Sequence, residues 1–140
     1  MRNLLIAISI LTLAGCAGKP LSMGGTVPAD YDVYACAMRE LARSEFVIQD
    51  TDRASGFIQA HRQTSGGWSA AVGNTTWDVI TVLIFEDAGR QTVRVTASKR
   101  DRQKATALSA TLYGYDREGK PSDAGLAKAE SILANCKPMR

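Results

Sequence analysis

The chain has 140 residues, of which 45% are hydrophobic and 22% are charged, and its formal net charge is +3. This composition is that of a folded globular protein rather than a disordered tail, and the length fits a single domain. The small excess of positive charge is spread among acidic residues, so the sequence gives no reason to expect nucleic acid as a partner.

The first 16 residues are laid out as an export signal. Arg2 supplies a positive charge, and residues 4–13 form a nearly continuous apolar run. A run of about ten residues is too short for a helix that crosses a bilayer, but it suits the apolar part of a secretory signal. The run ends at Leu13-Ala14-Gly15-Cys16, which resembles the lipobox of bacterial lipoproteins.

The lipobox resemblance implies how the N-terminus is processed. In that family the cysteine thiol receives diacylglycerol, a peptidase cuts before the cysteine, and the new terminus is acylated with a fatty acid such as palmitate. For this chain the resemblance implies a signal peptide over residues 1–15 and a lipid anchor on Cys16, and therefore a cell-envelope protein. The residue directly after the lipobox cysteine is Ala17 and not Asp. By resemblance to the lipoproteins of Gram-negative bacteria, the absence of Asp at this position favours export to the outer membrane, facing the periplasm. Two alternatives stay open: an ordinary secretory signal with Cys16 present by chance, and an uncut apolar anchor.

Residues 16–29 are predicted to be the lipidated cysteine followed by a flexible tether. After Cys16 this segment contains two Pro and three Gly among small residues, which is typical of a flexible link. The globular domain is then expected over residues 30–137.

Hydrophobic spacing within that domain predicts two helices with strands between them. The first helix is expected over residues 30–44 with Asp30 as its N-cap, and the second begins at Pro121-Ser122-Asp123. The expected apolar face of the first helix comprises Tyr31, Tyr34, Ala35, Met38, Leu41 and Ala42. Strands are predicted over 46–50, 56–63, 77–85 and 92–98, and residues 105–115 are either a fifth strand or a surface loop.

These elements predict an α+β fold, with an antiparallel sheet of four or five strands and the N-terminal and C-terminal helices packed on one face. The spacing Met38-x-x-Leu41, then Phe46-x-Ile48, then Gly56-x-Ile58-x-Ala60 resembles small periplasmic lipoprotein domains, such as the helix-and-sheet modules of the outer-membrane assembly lipoprotein BamC. The resemblance covers residues 30–98 and concerns element order and hydrophobic spacing. It carries no functional residue.

Two cysteines remain once Cys16 is assigned to lipid. Cys36 and Cys136 lie in the two predicted helices, and an even pair in an oxidising compartment predicts a disulfide. Such a bridge closes a loop of about 100 residues, which the chain-entropy model equates with about 4–5 kcal/mol of stability. The alternative is a pair of unpaired buried thiols.

No catalytic constellation is visible in the sequence. His61 is the only histidine, and no nucleophile, orienting acid or further metal ligand is nominated to act with it. We therefore interpret His61 as an exposed strand residue, and we predict no catalytic residue, no metal site and no cofactor.

Two segments are candidates for binding. Residues 64–76 form a long link that contains Trp68 and leads to Trp77, and Trp68 either anchors a partner or folds back over the sheet edge. Residues 99–104 are the densest basic run, which either meets anionic headgroups or cell-wall polymer or forms a solvated strand end. The candidate partner-binding residues are Trp68, Trp77, Lys99, Arg100 and Arg102.

The predicted function is that of a non-catalytic, membrane-anchored lipoprotein whose domain binds another envelope component, either a protein or cell-wall polymer. One alternative is an envelope hydrolase or hydrolase inhibitor that acts through residues 64–76. Another is a structural spacer.

Overall fold

A computed structural model describes residues 19–71, 74–102 and 116–137. The expected signal peptide, Cys16 and the ambiguous stretch 105–115 lie outside these described residues. The elements in chain order are β1 Leu21–Pro28, α1 Val33–Ala42, β2 Val47–Asp52, β3 Phe57–Gln63, α2 Trp68–Ala71, β4 Thr75–Asp87, β5 Arg90–Arg102, β6 Asp116–Gly119 and α3 Asp123–Asn135.

The six strands form one sheet in which every pairing is antiparallel. The order across the sheet is β1-β5-β4-β3-β2, and β6 pairs with the end of β5 beyond β1. An antiparallel sheet with two long helices agrees with the predicted α+β class. The number of strands was predicted wrongly, because the sheet has six strands rather than four or five.

The largest difference from the sequence prediction is β1, which lies inside the predicted tether. Residues 21–28 pair along β5 from Leu21↔Ala97 to Pro28↔Arg90, and alternate side chains such as Met23 and Val27 join the hydrophobic core. Local composition does not reveal this strand, because β1 is stabilised by hydrogen bonds to β5, which is distant in the sequence. Without β1, the backbone groups along the outer edge of β5 would have no partner in the sheet. Residues 21–28, which were predicted to belong to the tether, are therefore part of the sheet.

The core is one hydrophobic cluster to which the sheet and both long helices contribute. Alternate residues of a strand point to opposite faces, and the alternate residues Ile58, Ile80 and Val95 of the three central strands are fully buried in this cluster. Helix α1 contributes Val33, Cys36, Ala37 and Leu41, and helix α3 contributes Ala129, Ile132 and, at its end, Cys136.

Helix α1 begins later and is rotated relative to its prediction. Its N-cap is Asp32, whose carboxylate accepts a hydrogen bond from the Ala35 amide at 3.0 Å, and not Asp30. The predicted face residues Tyr34 and Met38 are only half-buried, and Ala42 is exposed. Leu41 is buried as predicted, and the other buried residues of the helix are the smaller Val33, Cys36 and Ala37, which let the helix axis approach the other elements closely.

The two helices are joined covalently, as the sequence predicts. Cys36 and Cys136 form a disulfide with a Cα–Cα separation of 5.6 Å. Lys128 of α3 also donates a hydrogen bond to the carbonyl oxygen of Glu40 at 3.2 Å. Within the described residues, no helix has the length and apolar character required to cross a membrane.

Candidate functional site

Strand alternation gives the sheet a second face, which we call the outer face, opposite the face that joins the hydrophobic cluster. The register places Gln63, Trp77 and Arg100 in one row across three strands of this face. The next row contains Val47, His61, Val79 and Ser98. Side chains from four strands, which are far apart in sequence, therefore meet at one end of the outer face.

These side chains line a groove of about 400 Å³, which we call the outer groove. Its lining residues are Val47, Gln49, His61, Gln63, Trp77, Val79, Arg100 and Arg102. Val79 is only 2% exposed and forms an apolar part of the floor. None of the eight lining residues is acidic, so the groove combines an apolar floor with two side-chain amides and two guanidinium groups.

An aromatic ring and a guanidinium are stacked in the outer groove. The guanidinium carbon of Arg102 lies 5.6 Å from the centre of the Trp77 ring, within the range of a cation–π contact. Arg100 is the direct cross-strand neighbour of Trp77 and is half-buried. On its other side Arg100 pairs in register with Glu118 of β6. A planar guanidinium presents several donors that match a carboxylate or phosphate, so this end of the groove suits an anionic group beside Glu118.

His61 lies in the outer groove, where its surroundings favour the neutral imidazole. Burial lowers the pKa of its imidazole, and the positive charge of Arg100 lowers it further. The imidazole Nε2 lies 3.3 Å from the amide oxygen of Gln59. The prediction of an exposed strand histidine was wrong because the side chain is half-buried between neighbouring strands. A neutral imidazole adds one donor and one acceptor to the groove.

The structure brings together three of the five predicted binding residues. Trp77, Arg100 and Arg102 share the outer groove. Trp68 begins the one-turn helix α2 and is 81% exposed, so it does not fold back over the sheet. Lys99 precedes Arg100 in β5 and therefore lies on the opposite face of the sheet. Its ammonium lies 3.6 Å from the carboxylate of Asp101.

A second, more polar cleft lies near the start of α3. Its volume is about 630 Å³, and its lining residues are Thr64, Ser65, Gly66, Asn74, Thr76, Lys99, Lys120, Pro121 and Ser122. We call it the lysine cleft. Across residues 19–71, 74–102 and 116–137, no three His, Cys, Asp or Glu side chains converge in a way that could hold a metal ion.

Sequence reasoning missed a buried ionic network beside these clefts. Asp78 is fully buried, and its carboxylate accepts hydrogen bonds from the Ser122 amide at 3.0 Å, the Ser122 hydroxyl at 2.5 Å and the Arg62 guanidinium at 2.8 Å. Ser122 is the N-cap of α3 and accepts a hydrogen bond from the Gly125 amide. Asp78 therefore links the centre of the sheet to the first turn of α3.

The charges of this network stabilise each other. Burial alone raises the pKa of Asp78, but the hydrogen bonds from Ser122 and Arg62 outweigh it and hold the pKa below the ordinary carboxyl value. The same ion pair raises the pKa of Arg62. A signal for the network was present in the sequence, because Asp78 is a charged residue inside the most apolar run of the domain, where burial demands a partner.

Comparisons with known proteins leave the family of the chain open. No family model and no curated protein matches the sequence. The solved structure of a DUF4468 family protein from Bacteroides ovatus ATCC 8483 is similar, with a TM-score of 0.38 and 15% sequence identity, over 74% of this chain and 66% of that chain. The chain thus spans just under two thirds of that neighbour's length. A likeness of this degree does not define a function.

Proposed function

We propose that the protein is a non-catalytic lipoprotein of the bacterial cell envelope. In this proposal Cys16 carries the lipid anchor, and the domain binds another envelope component in the outer groove. The anchor is supported by the lipobox residues Leu13-Ala14-Gly15-Cys16 that follow an apolar run. The BamC-like order of elements stays a prediction that is compatible with this location.

The observation that carries the binding proposal is the composition of the outer groove. Trp77, Arg100 and Arg102 line it together with the neutral imidazole of His61 and two amides, and no lining residue is acidic. Aromatic and guanidinium side chains are the groups that most often anchor partners. We therefore propose a ligand with a flat face and an anionic group, as found on an envelope protein or on a cell-wall polymer.

The arrangement of the helices supports a binding role for this face. We propose that α1 and α3 both cover the cluster side of the sheet, since they are joined by a disulfide and share one core with the inward residues. The outer face is then the side left for a partner. The groove row Gln63, Trp77 and Arg100 lies on that side.

Crosslinking in intact cells tests the binding proposal. The full chain is compared with Arg100→Ala and with Arg94→Ala, and crosslinked neighbours are identified by mass spectrometry. Arg94 is on the same strand and the same face of the sheet as Arg100, but it does not line the groove. We expect the partner to be lost with Arg100→Ala and kept with Arg94→Ala.

Three results would count against a groove ligand. If the partner were lost equally in Arg100→Ala and Arg94→Ala, the loss would come from the lower positive charge of the domain and not from the groove. An unchanged set of neighbours in both variants, and also in Trp77→Ala, would favour a structural spacer. A neighbour lost only with Trp68→Ala would move the site to the 64–76 link.

The anchor is tested separately. Intact mass of the membrane-extracted protein should show cleavage before Cys16 and added acyl chains. We expect Cys16→Ser to abolish both the acylation and the association with membranes. A Cys16→Ser protein that is trimmed at the same bond and still sediments with vesicles would refute the anchor.

A further inference from the structure

Strand β1 determines which end of the sheet is nearest to residue 16. Leu21 is its first residue and pairs with Ala97, while Pro28 at its other end pairs with Arg90. Because β5 is antiparallel to β1, the residues of β5 that follow Ala97 lie beyond Leu21. They are therefore at the end of the sheet where the chain coming from residue 16 enters β1. The register extends this end across the sheet through Ile80 and Ala60.

The chain between residue 16 and the sheet is short. Five residue steps separate Cys16 from Leu21, and even a fully extended chain spans at most about 18 Å over that number of steps. A lipid on Cys16 would therefore hold this end of the sheet close to the bilayer. A tether that continued to residue 29 would have left the domain free to turn away.

The end of the sheet that is held close carries lysines and an exposed tryptophan. Lys99 and Lys120 line the lysine cleft together with Gly66, and Lys19 is exposed just before β1. Trp68 follows Gly66 by two residues and is 81% exposed. We call Lys19, Trp68, Lys99 and Lys120 the anchor-side surface.

The opposite end of the sheet carries more acidic than basic residues. It consists of the β2–β3 and β4–β5 turns, because Asp52 pairs with Phe57 and Asp87 pairs with Arg90. Four acidic residues lie at or beside these two turns, namely Asp50, Asp52, Glu86 and Asp87, against the two basic residues Arg53 and Arg90. An anionic membrane would attract the lysine end and repel this end.

We infer that the anchor-side surface lies on the anionic headgroups of the bilayer that holds the lipid of Cys16. This inference rests on the proposed lipid anchor. Each lysine near an anionic leaflet strengthens the contact by about fivefold, and tryptophan is the side chain that best occupies the boundary between headgroups and acyl chains. The outer groove then opens beside the membrane, because Trp77 and Arg100 lie at the same end of the sheet.

Fluorescence of Trp68 in proteoliposomes tests the inference. The lipidated full chain carries Trp77→Phe, so that Trp68 is the remaining tryptophan. It is incorporated into vesicles of phosphatidylethanolamine with phosphatidylglycerol, with bromine on the acyl chains near the headgroup as a quencher. We expect a blue-shifted, quenched emission, with the quenching lost in vesicles of phosphatidylcholine alone and in about 1 M salt, where charges are screened beyond about 3 Å.

Matched variants identify the residues responsible. Lys19→Gln, Lys99→Gln and Lys120→Gln together should abolish the quenching of Trp68. The control variant combines Arg53→Gln, Arg90→Gln and Arg94→Gln. It removes the same amount of positive charge from residues at or nearer the opposite end of the sheet, and it should leave the quenching unchanged. Sedimentation with the vesicles should persist in both triple variants, because the acyl chains remain.

The outcomes separate this inference from the anchor itself. Protein that sediments with the anionic vesicles but shows no Trp68 quenching would overturn the inference and leave the anchor intact. A Trp68 shift on isolated cell-wall sacculi but not on vesicles would overturn it in favour of a polymer contact. Protein that lacks the acyl mass and does not sediment would refute the anchor, and the inference with it.

Discussion

Asp78 links the first turn of α3 to the sheet. Its buried carboxylate receives donors from Ser122, which caps α3, and from Arg62 on the neighbouring strand. Arg62 also lies over the ring of Phe46, at 5.6 Å from the ring centre. A charge buried this deeply costs stability when either partner is removed, since the other is then left without compensation.

We expect Asp78→Asn to destabilise the fold by about 3 kcal/mol, the low end for a broken buried pair, because part of Arg62 still reaches water. The new amide nitrogen would face donors from Arg62 and Ser122 where an acceptor now stands. Urea unfolding at neutral pH measures the change. Asp101→Asn, which breaks the half-exposed pair with Lys99, is the control and should cost less than about 1 kcal/mol. Equal losses would show that the Asp78 network contributes little.

The same carboxylate predicts how stability depends on acid. The pKa of Asp78 is lowered in the folded protein, so its contribution is complete above the ordinary carboxyl value of about 3.9 and is lost as the pH falls through the lower folded pKa. Unfolding free energy measured from neutral to acidic pH should fall more steeply in the wild type than in Asp78→Asn. Asp101→Asn, which removes a half-exposed carboxylate, should keep the steep fall. Identical slopes in the wild type and in both variants would contradict this assignment.

At the scale of the elements, the disulfide between α1 and α3 is the strongest single restraint. Replacing both Cys36 and Cys136 by Ser should lower stability by about 4–5 kcal/mol, because the unfolded chain regains the freedom of a loop of about 100 residues. Thermal unfolding of the double variant measures the loss. Both proteins in this comparison carry Cys16→Ser, so that they differ only in the disulfide. A double variant as stable as the Cys16→Ser protein would disprove the restraint.

The β2–β3 turn depends on one glycine. Gly56 has a φ of +67°, and an added Cβ would collide with the carbonyl oxygen of Ile84. Gly89 in the β4–β5 turn has a φ of +74° but has nothing within 4 Å of the added atom. We expect Gly89→Ala to cost about 1–2 kcal/mol from backbone strain alone and Gly56→Ala to cost more. Equal unfolding midpoints for the two variants would show that the collision is relieved without cost.

At the scale of the whole molecule, the proposed lipid anchor predicts that the short connection between residue 16 and β1 limits how the domain can turn relative to the membrane. Inserting about ten Gly and Ser residues before Leu21 would add a flexible reach of roughly 16–19 Å. We expect the insertion to reduce the quenching of Trp68 by headgroup-level bromine while sedimentation with vesicles stays complete. Reordering residues 17–20 without changing their number is the control. Unchanged quenching after insertion would mean that the lysines alone hold the surface on the membrane.

Much of the fold could be predicted because it follows from the spacing of hydrophobic residues within short segments. Three features follow from neighbouring residues: the alternation of Val93, Val95 and Ala97 in β5, the apolar run of β4, and the start of α3 at Pro121-Ser122-Asp123. The pairing of Cys36 with Cys136 followed from counting cysteines. The candidate site was predicted in part, since Trp77, Arg100 and Arg102 stood out by residue type, but nothing local showed that they share a groove with His61.

The sequence by itself determined the antiparallel α+β character and the disulfide, and it predicts the lipid anchor, because each depends on spacing or motif within a short segment. Only the tertiary structure decided that residues 21–28 are a strand, that α1 buries Val33 and Ala37, and that Asp78 holds α3. These features depend on pairs of distant groups, whose hydrogen bonds and packing become defined only when the chain folds. The same non-local pairing, of β1 with β5, places the lysines and Trp68 at the end of the sheet nearest residue 16.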